Sequence, residues 1–436
     1  MRTNILLLLF FLWGSLFSIE SLGQEIDNYT LSIDKRDMEA ANLHVNCSFI
    51  ADFQATDTIC MNFGGDEEFS IENLAVQGKC PLKYDYLKKD KKIIFYCPSQ
   101  TRTAIQMDYD YTNMSSFFIY GKGDAELWET SYDEYYYPYI PNTYLDMTIN
   151  LLLPDSLELI SSYNMDNTNQ NKYSCKIKNA LAQSLSFAFI RRKAYIQSIA
   201  TIPDTVHIYQ IHDMQCSAER YNELLELTQK SIEYFSNAYK EEYMSDSQNI
   251  TAYPIYLFHN GEGFSNRYNI GFISASQEKF STYPDIYPLV HEIGHRWLGE
   301  YTLLIDDGQP GAYFLKESLN EFMTLMFIRN YFGEGIYKAQ LDRCKKEYQE
   351  VKNSINDIPL IDITTNNNNT VVYRKGPLVL DRIAQKIGYD NLVSVIASFY
   401  HQYARKHPLS YNDFVKVLAK QYPEAGNELN TMVRDK

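Results

Sequence analysis

His291-Glu292-Ile293-Gly294-His295 is the stretch on which the reading of this chain turns. On a helix, residues four apart lie one above the other on one face, so the two imidazoles can grip one metal ion. Neutral imidazole suits Zn²⁺. Glu292, one step round the helix, is placed to act as general base on a water at the metal. Pro284 and Pro288 stand near the first turn, where proline is tolerated. Ile293, Trp297 and Leu298 supply apolar positions, and the pattern predicts a helix over residues 288–301. Such a five-residue match also arises by chance on ordinary helices, so the residues downstream of His295 decide its meaning.

A catalytic zinc needs a third protein ligand and an open position for water. The acidic candidates after His295 are Glu300, Asp306, Asp307, Glu317 and Glu321. Glu300 points off the metal face of the same helix. Asp306 and Asp307 read as solvated loop residues. Glu317 lies on the next helix, which can pack against the first and deliver a carboxylate to the metal. Glu321, one turn further on, is a candidate partner for the far nitrogen of a ligating histidine.

Outward from this motif the chain divides by composition. Residues 24–200 are β-rich: 43–49, 93–96, 148–154 and 184–190 are short, aromatic or β-branched runs, broken by Gly, Asn and Asp. They predict an antiparallel sandwich or saddle. Residues 201–436 alternate strand-like segments (205–211, 253–259, 268–274) with helical ones (217–243, 313–332, 335–351, 375–386, 391–403), ending in a helix at 411–419 capped by Ser410. The fold class is therefore α+β and multidomain. Tyr135-Tyr136-Tyr137-Pro138-Tyr139 reads either as a surface for carbohydrate or peptide or, more simply, as aromatics packed on a sheet face.

Residues 1–23 read as a signal peptide: Arg2 precedes an apolar run at 5–17, and Ser21-Leu22-Gly23 offers a small-residue cleavage site. That run is short for a membrane span, and no later stretch predicts one. The expected location is outside the cytoplasm, periplasmic or extracellular. The net charge of −15 argues against nucleic acid as a partner. Four of the seven cysteines, Cys47, Cys60, Cys80 and Cys97, lie close together. They predict either two disulfides or buried reduced thiols.

Three motifs together carry a family resemblance. The stretch from His291 through Gly299 resembles the zinc helix of the aminopeptidase N family of gluzincins, which includes leukotriene hydrolase. Phe314-Leu315-Lys316-Glu317-Ser318-Leu319-Asn320-Glu321 is similar to that family's Trp-Leu-Asn-Glu-Gly-Phe-Ala stretch, whose glutamate ligand falls on Glu317. Tyr373-Arg374-Lys375-Gly376 resembles its Tyr-x-Lys-Gly segment, whose tyrosine stabilises the tetrahedral intermediate; that role falls on Tyr373. The resemblance implies a saddle domain, a thermolysin-like catalytic domain, a zinc cofactor and peptide or protein substrates. It also implies that the family's large C-terminal helical domain is missing, which would leave the cleft more open.

Two further departures bear on the activity. The interval from His295 to Glu317 is about three residues longer than the family's usual one. An insertion at 303–312 accounts for this, since the shorter spacing would fall on Phe314, which cannot bind zinc. Before Gly271, Tyr268 stands where the family's Gly-x-Met-Glu-Asn motif places a glutamate that holds the substrate's free amine. A phenol is neutral at pH 7 and holds an ammonium less well. Glu126 or Glu129 of the first domain are candidates to supply the charge. The expected function is zinc-dependent peptide hydrolysis, aminopeptidase-like. The alternatives are an endopeptidase with relaxed recognition of the N-terminus and a silent binding protein on the same fold.

Overall fold

The computed structural model describes residues 26–436 except 36–41, 54–57, 65–68, 80, 100, 114–118, 121–126, 130–135, 142, 162, 164, 170, 183–184, 186, 192–194, 203–205, 212–217, 242–252, 259–266, 270–271, 277–286, 300–307, 364–369 and 405–408. The expected signal segment, residues 1–23, lies outside the described residues. Among the described residues no helix is long and apolar enough to cross a membrane.

The first half is built from strands whose side chains alternate between core and surface. In Asn42–Asp52, Leu43, Val45, Cys47, Phe49 and Ala51 are buried, while the residues between them stay at least partly exposed. Seven strands form one sheet in the spatial order Asp166–Asn169, Lys172–Leu181, Tyr144–Leu152, Ile26–Asp34, Asn42–Asp52, Arg102–Asn113, Phe69–Gly78. The sheet is mixed rather than wholly antiparallel. After a long excursion the chain re-enters as Tyr144–Leu152 beside its own first strand, Ile26–Asp34, and parallel to it. A three-stranded sheet (Thr58–Asn62, Lys92–Tyr96, Lys83–Leu87) packs Ile59, Met61, Ile93 and Phe95 into the same core. A four-stranded sheet adds Leu157–Ile160, Ala188–Arg191, Leu127–Glu129 and Ile119–Tyr120.

Of the tyrosine run, Tyr136, Tyr137 and Tyr139 belong to this core, and Tyr135 lies outside the described residues. Tyr136, Tyr137 and Tyr139 are buried, so they offer no surface for carbohydrate or peptide. Burial of a phenol requires a partner for its hydroxyl. Tyr136 Oη donates to Leu185 O at 3.0 Å, and Tyr137 Oη donates to Ala182 O at 2.8 Å and accepts from the Leu185 amide at 3.1 Å. Of the clustered cysteines, Cys47, Cys60 and Cys97 form no disulfide with one another; Cys47 and Cys97 are buried and Cys60 is exposed. Burial pushes the Cys47 thiol up to about 12, which leaves it unreactive near neutral pH. Cys80 lies outside the described residues.

Strand Tyr195–Ile202 straddles the division drawn at residue 200 and pairs forward with Val206–Ile211. That pair opens a five-stranded sheet completed by Tyr253–Phe258, Phe272–Ser276 and Arg267–Asn269. Helix α1 (Ala218–Tyr239) is the crossover between the parallel strands Val206–Ile211 and Tyr253–Phe258. The remaining α-helices among the described residues are α2 (Tyr287–Gly294), α3 (Leu319–Phe332), α4 (Glu334–Val351), α5 (Gly376–Ile387), α6 (Tyr389–Tyr403), α7 (Tyr411–Gln421) and α8 (Pro423–Arg434). Every residue of α3 from 319 to 328 is buried, so this helix is surrounded by the others rather than lying on them. The capping box of Ser410 and Asp413 starts α7. The chain does not end there: α8 follows, with Pro423 in its first turn and Ala425, Leu429 and Val433 on its buried stripe.

Replacing Tyr137 with Phe removes the donor to Ala182 O and the acceptor for the Leu185 amide. Urea unfolding of Tyr137→Phe is expected to show a loss of about 1–3 kcal/mol in unfolding free energy. An unchanged midpoint would mean that water takes the hydroxyl's place in the core.

Candidate metal centre

The helix carrying His291 is shorter than its sequence suggests. It ends at Gly294, and residues 295–298 continue in tight turns: the Arg296 amide donates to Ile293 O at 3.2 Å and the Trp297 amide to Gly294 O at 3.0 Å. Packing is close around this end. A Cβ on Gly294 would lie 2.0 Å from Asn320 Oδ1, and Trp297 stacks on Phe235 and Tyr239 at 5.5 Å each. The spacing of the two histidines survives, because the His295 amide still donates to His291 O at 3.3 Å. Their rings lie edge to face, centroids 4.6 Å apart.

Glu317 and Tyr373 both sit on π turns, a rare geometry that concentrates at functional sites. In the first, Phe314–Ser318, the Leu319 amide bonds back five residues to Phe314 O. In the second, Val371–Lys375, the Gly376 amide does the same to Val371 O. The two turns face each other. Ser318 Oγ donates to Val372 O at 2.8 Å, and a Cβ on Gly376 would lie 2.0 Å from Ser318 Oγ. Glycine at 376 is therefore what lets the two turns approach.

These elements bring His291, His295 and Glu317 together, with one potential ligand atom from each within 4.8 Å of the others. Glu317 Oε2 is 3.2 Å from His291 Nε2 and 3.4 Å from His295 Nε2. The Tyr373 hydroxyl donates to that same oxygen at 2.9 Å. Both histidines have a partner at Nδ1. For His295 it is Leu298 O at 3.2 Å. For His291 it is Glu321 Oε2 at 2.7 Å, an ionic contact rather than a well-aligned hydrogen bond. With both Nδ1 atoms turned to these oxygens, the Nε2 atoms are the ones that face Glu317 and would ligate a metal. Both histidines are buried, at 6% and 8% exposure.

The electrostatics favour a cation here. Burial alone would lower the pKa of His291, but the charges of Glu321 and Glu317 and their hydrogen bonds to the ring hold it well above the usual value. Burial likewise works to raise Glu317, yet His295 and His291 hold its carboxyl well below the carboxylate range. The Tyr373 phenol is pushed far up by burial and by Glu317, with a contribution from the Glu292 charge, and stays protonated.

Of the other residues singled out from sequence, Tyr268 pairs with Ile273 in the hairpin of Arg267–Asn269 and Phe272–Ser276, which lies against α2. Its side chain lies outside the described residues, as do Gly271, Glu126, Glu300, Asp306, Asp307 and the side chain of Glu129. Two residues with no sequence signal also enter the site. Asn320 Nδ2 donates to His291 O at 2.7 Å, locking α3 to α2. Arg374 Nη1 donates to Glu321 Oε1 at 3.2 Å. Asn320 lies within the motif that carries Glu317 and Arg374 follows Tyr373, but no pattern tells which partner each takes.

Residues 223–435 match the peptidase family M1 domain. No curated protein sequence gives a match. Two of the solved structures that share the fold illustrate the likeness. A mutant of the M1 zinc metallopeptidase from Deinococcus radiodurans superposes with a TM-score of 0.67 at 13% identity, covering 95% of this chain and 96% of that one. Native yeast LTA4 hydrolase superposes with a TM-score of 0.70 at 13% identity, covering 93% of this chain and 66% of that one. Both share the order of a β-sheet domain followed by a helical one. Residues 223–435 are therefore a peptidase family M1 domain.

Proposed function

We propose that the protein is an exported zinc-dependent aminopeptidase, with Zn²⁺ held by His291, His295 and Glu317. The observation that carries this reading is the convergence of two buried imidazoles and a carboxylate, with both Nδ1 atoms already occupied. Two nitrogens and one oxygen are a donor set that suits zinc and leaves a coordination position open. The fit is supported by the buried acidic surroundings, which favour positive charge between the rings.

Zinc, when bound, supplies positive charge that polarises the scissile carbonyl and acidifies a water. Glu292 takes the proton from that water as its oxygen attacks the amide carbon. The C–N bond then breaks, and Glu292 passes the proton to the departing amine. Tyr373 is kept protonated by its surroundings and donates a hydrogen bond to the carbonyl oxygen as negative charge develops there. Glu321 and Leu298 O hold the imidazoles in place. One water is consumed, and a carboxylate and a free amine result. The support for export is the signal-like segment at residues 1–23.

Tyr268 favours a second reading. It stands where the resembling family carries its amine-binding glutamate, and its loss points to endopeptidase action. A peptide library with free N-termini, compared with the same library N-acetylated, separates the two. Release of single N-terminal residues from free peptides supports the aminopeptidase. Internal cleavage of both sets supports the endopeptidase.

Glu292→Gln is expected to lower kcat about 10²–10⁴-fold while zinc still binds one-to-one. Full activity in this variant would remove Glu292 as the base. Tyr373→Phe is expected to lower kcat about 10²–10³-fold with little change in KM; a change in KM alone would move Tyr373 from catalysis to substrate binding. Dialysis against a chelator should abolish cleavage, and added zinc should restore it.

A further inference from the structure

Arg374 takes no part in the chemistry above, yet its guanidinium meets three groups around the site. Nη1 donates to Glu321 Oε1 at 3.2 Å and to the carbonyl of Tyr373 at 3.1 Å. Nε donates to Glu347 Oε2 on α4. Glu347 Oε1 in turn accepts from Arg343 Nε at 2.6 Å, one turn back along the same helix. Charges of alternating sign thus run inward from Arg343, 61% exposed, through Glu347, Arg374 and Glu321 to His291 Nδ1, with the His291 side chain 7% exposed.

We propose that Arg374 is a positioning residue for the metal centre, holding Glu321 against His291 and the Tyr373 turn against both. The inference rests on the metal reading of His291, His295 and Glu317. Glu321 is 2% exposed. A carboxylate buried that deeply must have both oxygens partnered. His291 takes one of them, and the guanidinium takes the other. With a dication in place, its charge and that of Arg374 balance the three carboxylates of Glu292, Glu317 and Glu321. The bond to the Tyr373 carbonyl adds a second constraint: one rigid, planar group sets the distance between the turn bearing the phenol and the glutamate behind a ligand. Lysine cannot do the same, because its single ammonium does not span two carboxylates in a fixed fork.

Two effects of Arg374 on metal affinity oppose each other. As a nearby cation it repels a metal ion. As the anchor of Glu321 it keeps His291 oriented. The anchoring is direct contact, whereas the repulsion acts across the intervening carboxylate, so the anchoring is expected to win. This gives the test its sign.

The experiment measures Zn²⁺ affinity of the full purified chain by competition with a chromophoric chelator, together with the visible spectrum of the Co²⁺-substituted protein. Arg374→Ala is expected to bind zinc about tenfold more weakly than the unaltered chain, within the range seen when a ligand's outer partner is removed. Its cobalt bands should shift. Arg374→Lys should fall between the two, and Glu347→Gln should weaken zinc in the same direction by less. Arg382→Ala is the control. It breaks an ion pair of the same kind, with Glu428 at 2.8 Å, away from the centre, and should leave affinity and spectrum unchanged. Equal or tighter zinc binding by Arg374→Ala overturns the proposal and leaves the metal reading standing. An unaltered chain that binds no zinc overturns both. If Arg374→Ala does not fold, unchanged affinity in both Arg374→Lys and Glu347→Gln overturns the proposal.

Discussion

Two glutamates one helical turn apart hold opposite nitrogens of one imidazole. Glu317 faces His291 Nε2 and Glu321 faces its Nδ1. Charged groups buried this deeply are tolerated only when each finds an opposite charge or a donor. That demand shapes everything near them. It places the start of α3 against α2, because only there can both carboxylates reach the same ring. It brings Asn320 onto the His291 carbonyl, and it draws Arg374 in from the next turn. The same helix buries Leu319, Phe322, Met323 and Met326 in the apolar core of this half.

The β half supports the same conclusion about polar groups by different means. Among the described residues its core holds tyrosines as well as leucines, and every phenol there brings a hydroxyl that must be satisfied. Tyr109 Oη donates to Tyr136 O at 2.8 Å, and Tyr136 and Tyr137 donate on to carbonyls after residue 180. Those bonds tie segments far apart in sequence. The aromatic rings supply the burial, and the hydroxyls choose which segments meet.

Much of this is legible in the sequence, and the rest is hidden for physical reasons. Period-two alternation in Asn42–Asp52 is a local signal, as is the four-residue spacing of His291 and His295. Both appear without knowing what packs where. Helix α8 escapes a reading of the sequence because Pro423 looks like a stop, although proline is equally at home in a first turn. The parallel return of Tyr144–Leu152 beside Ile26–Asp34 has no local signature, since strand direction depends on the whole intervening path. The glycine at the end of α2 is required by Asn320 and Phe235, which approach it closely from other helices. Arg374 is the clearest case. A surface arginine and a site arginine look alike in sequence, and only the fold shows that Glu321 and Glu347 lie on either side of it.

The two π turns set regularity against function. Each holds one residue more than an ordinary helical turn would use for the same bonds. Loss of a single codon from either would let the helix close into its preferred geometry, turning the residues before it by about 100° relative to those after it. Glu317 or Tyr373 would then leave the histidines while the helix itself gained regularity. Over evolutionary time the chain is thus exposed to a kind of error that improves local structure and erases the site. Only selection on what Glu317 and Tyr373 do opposes that error.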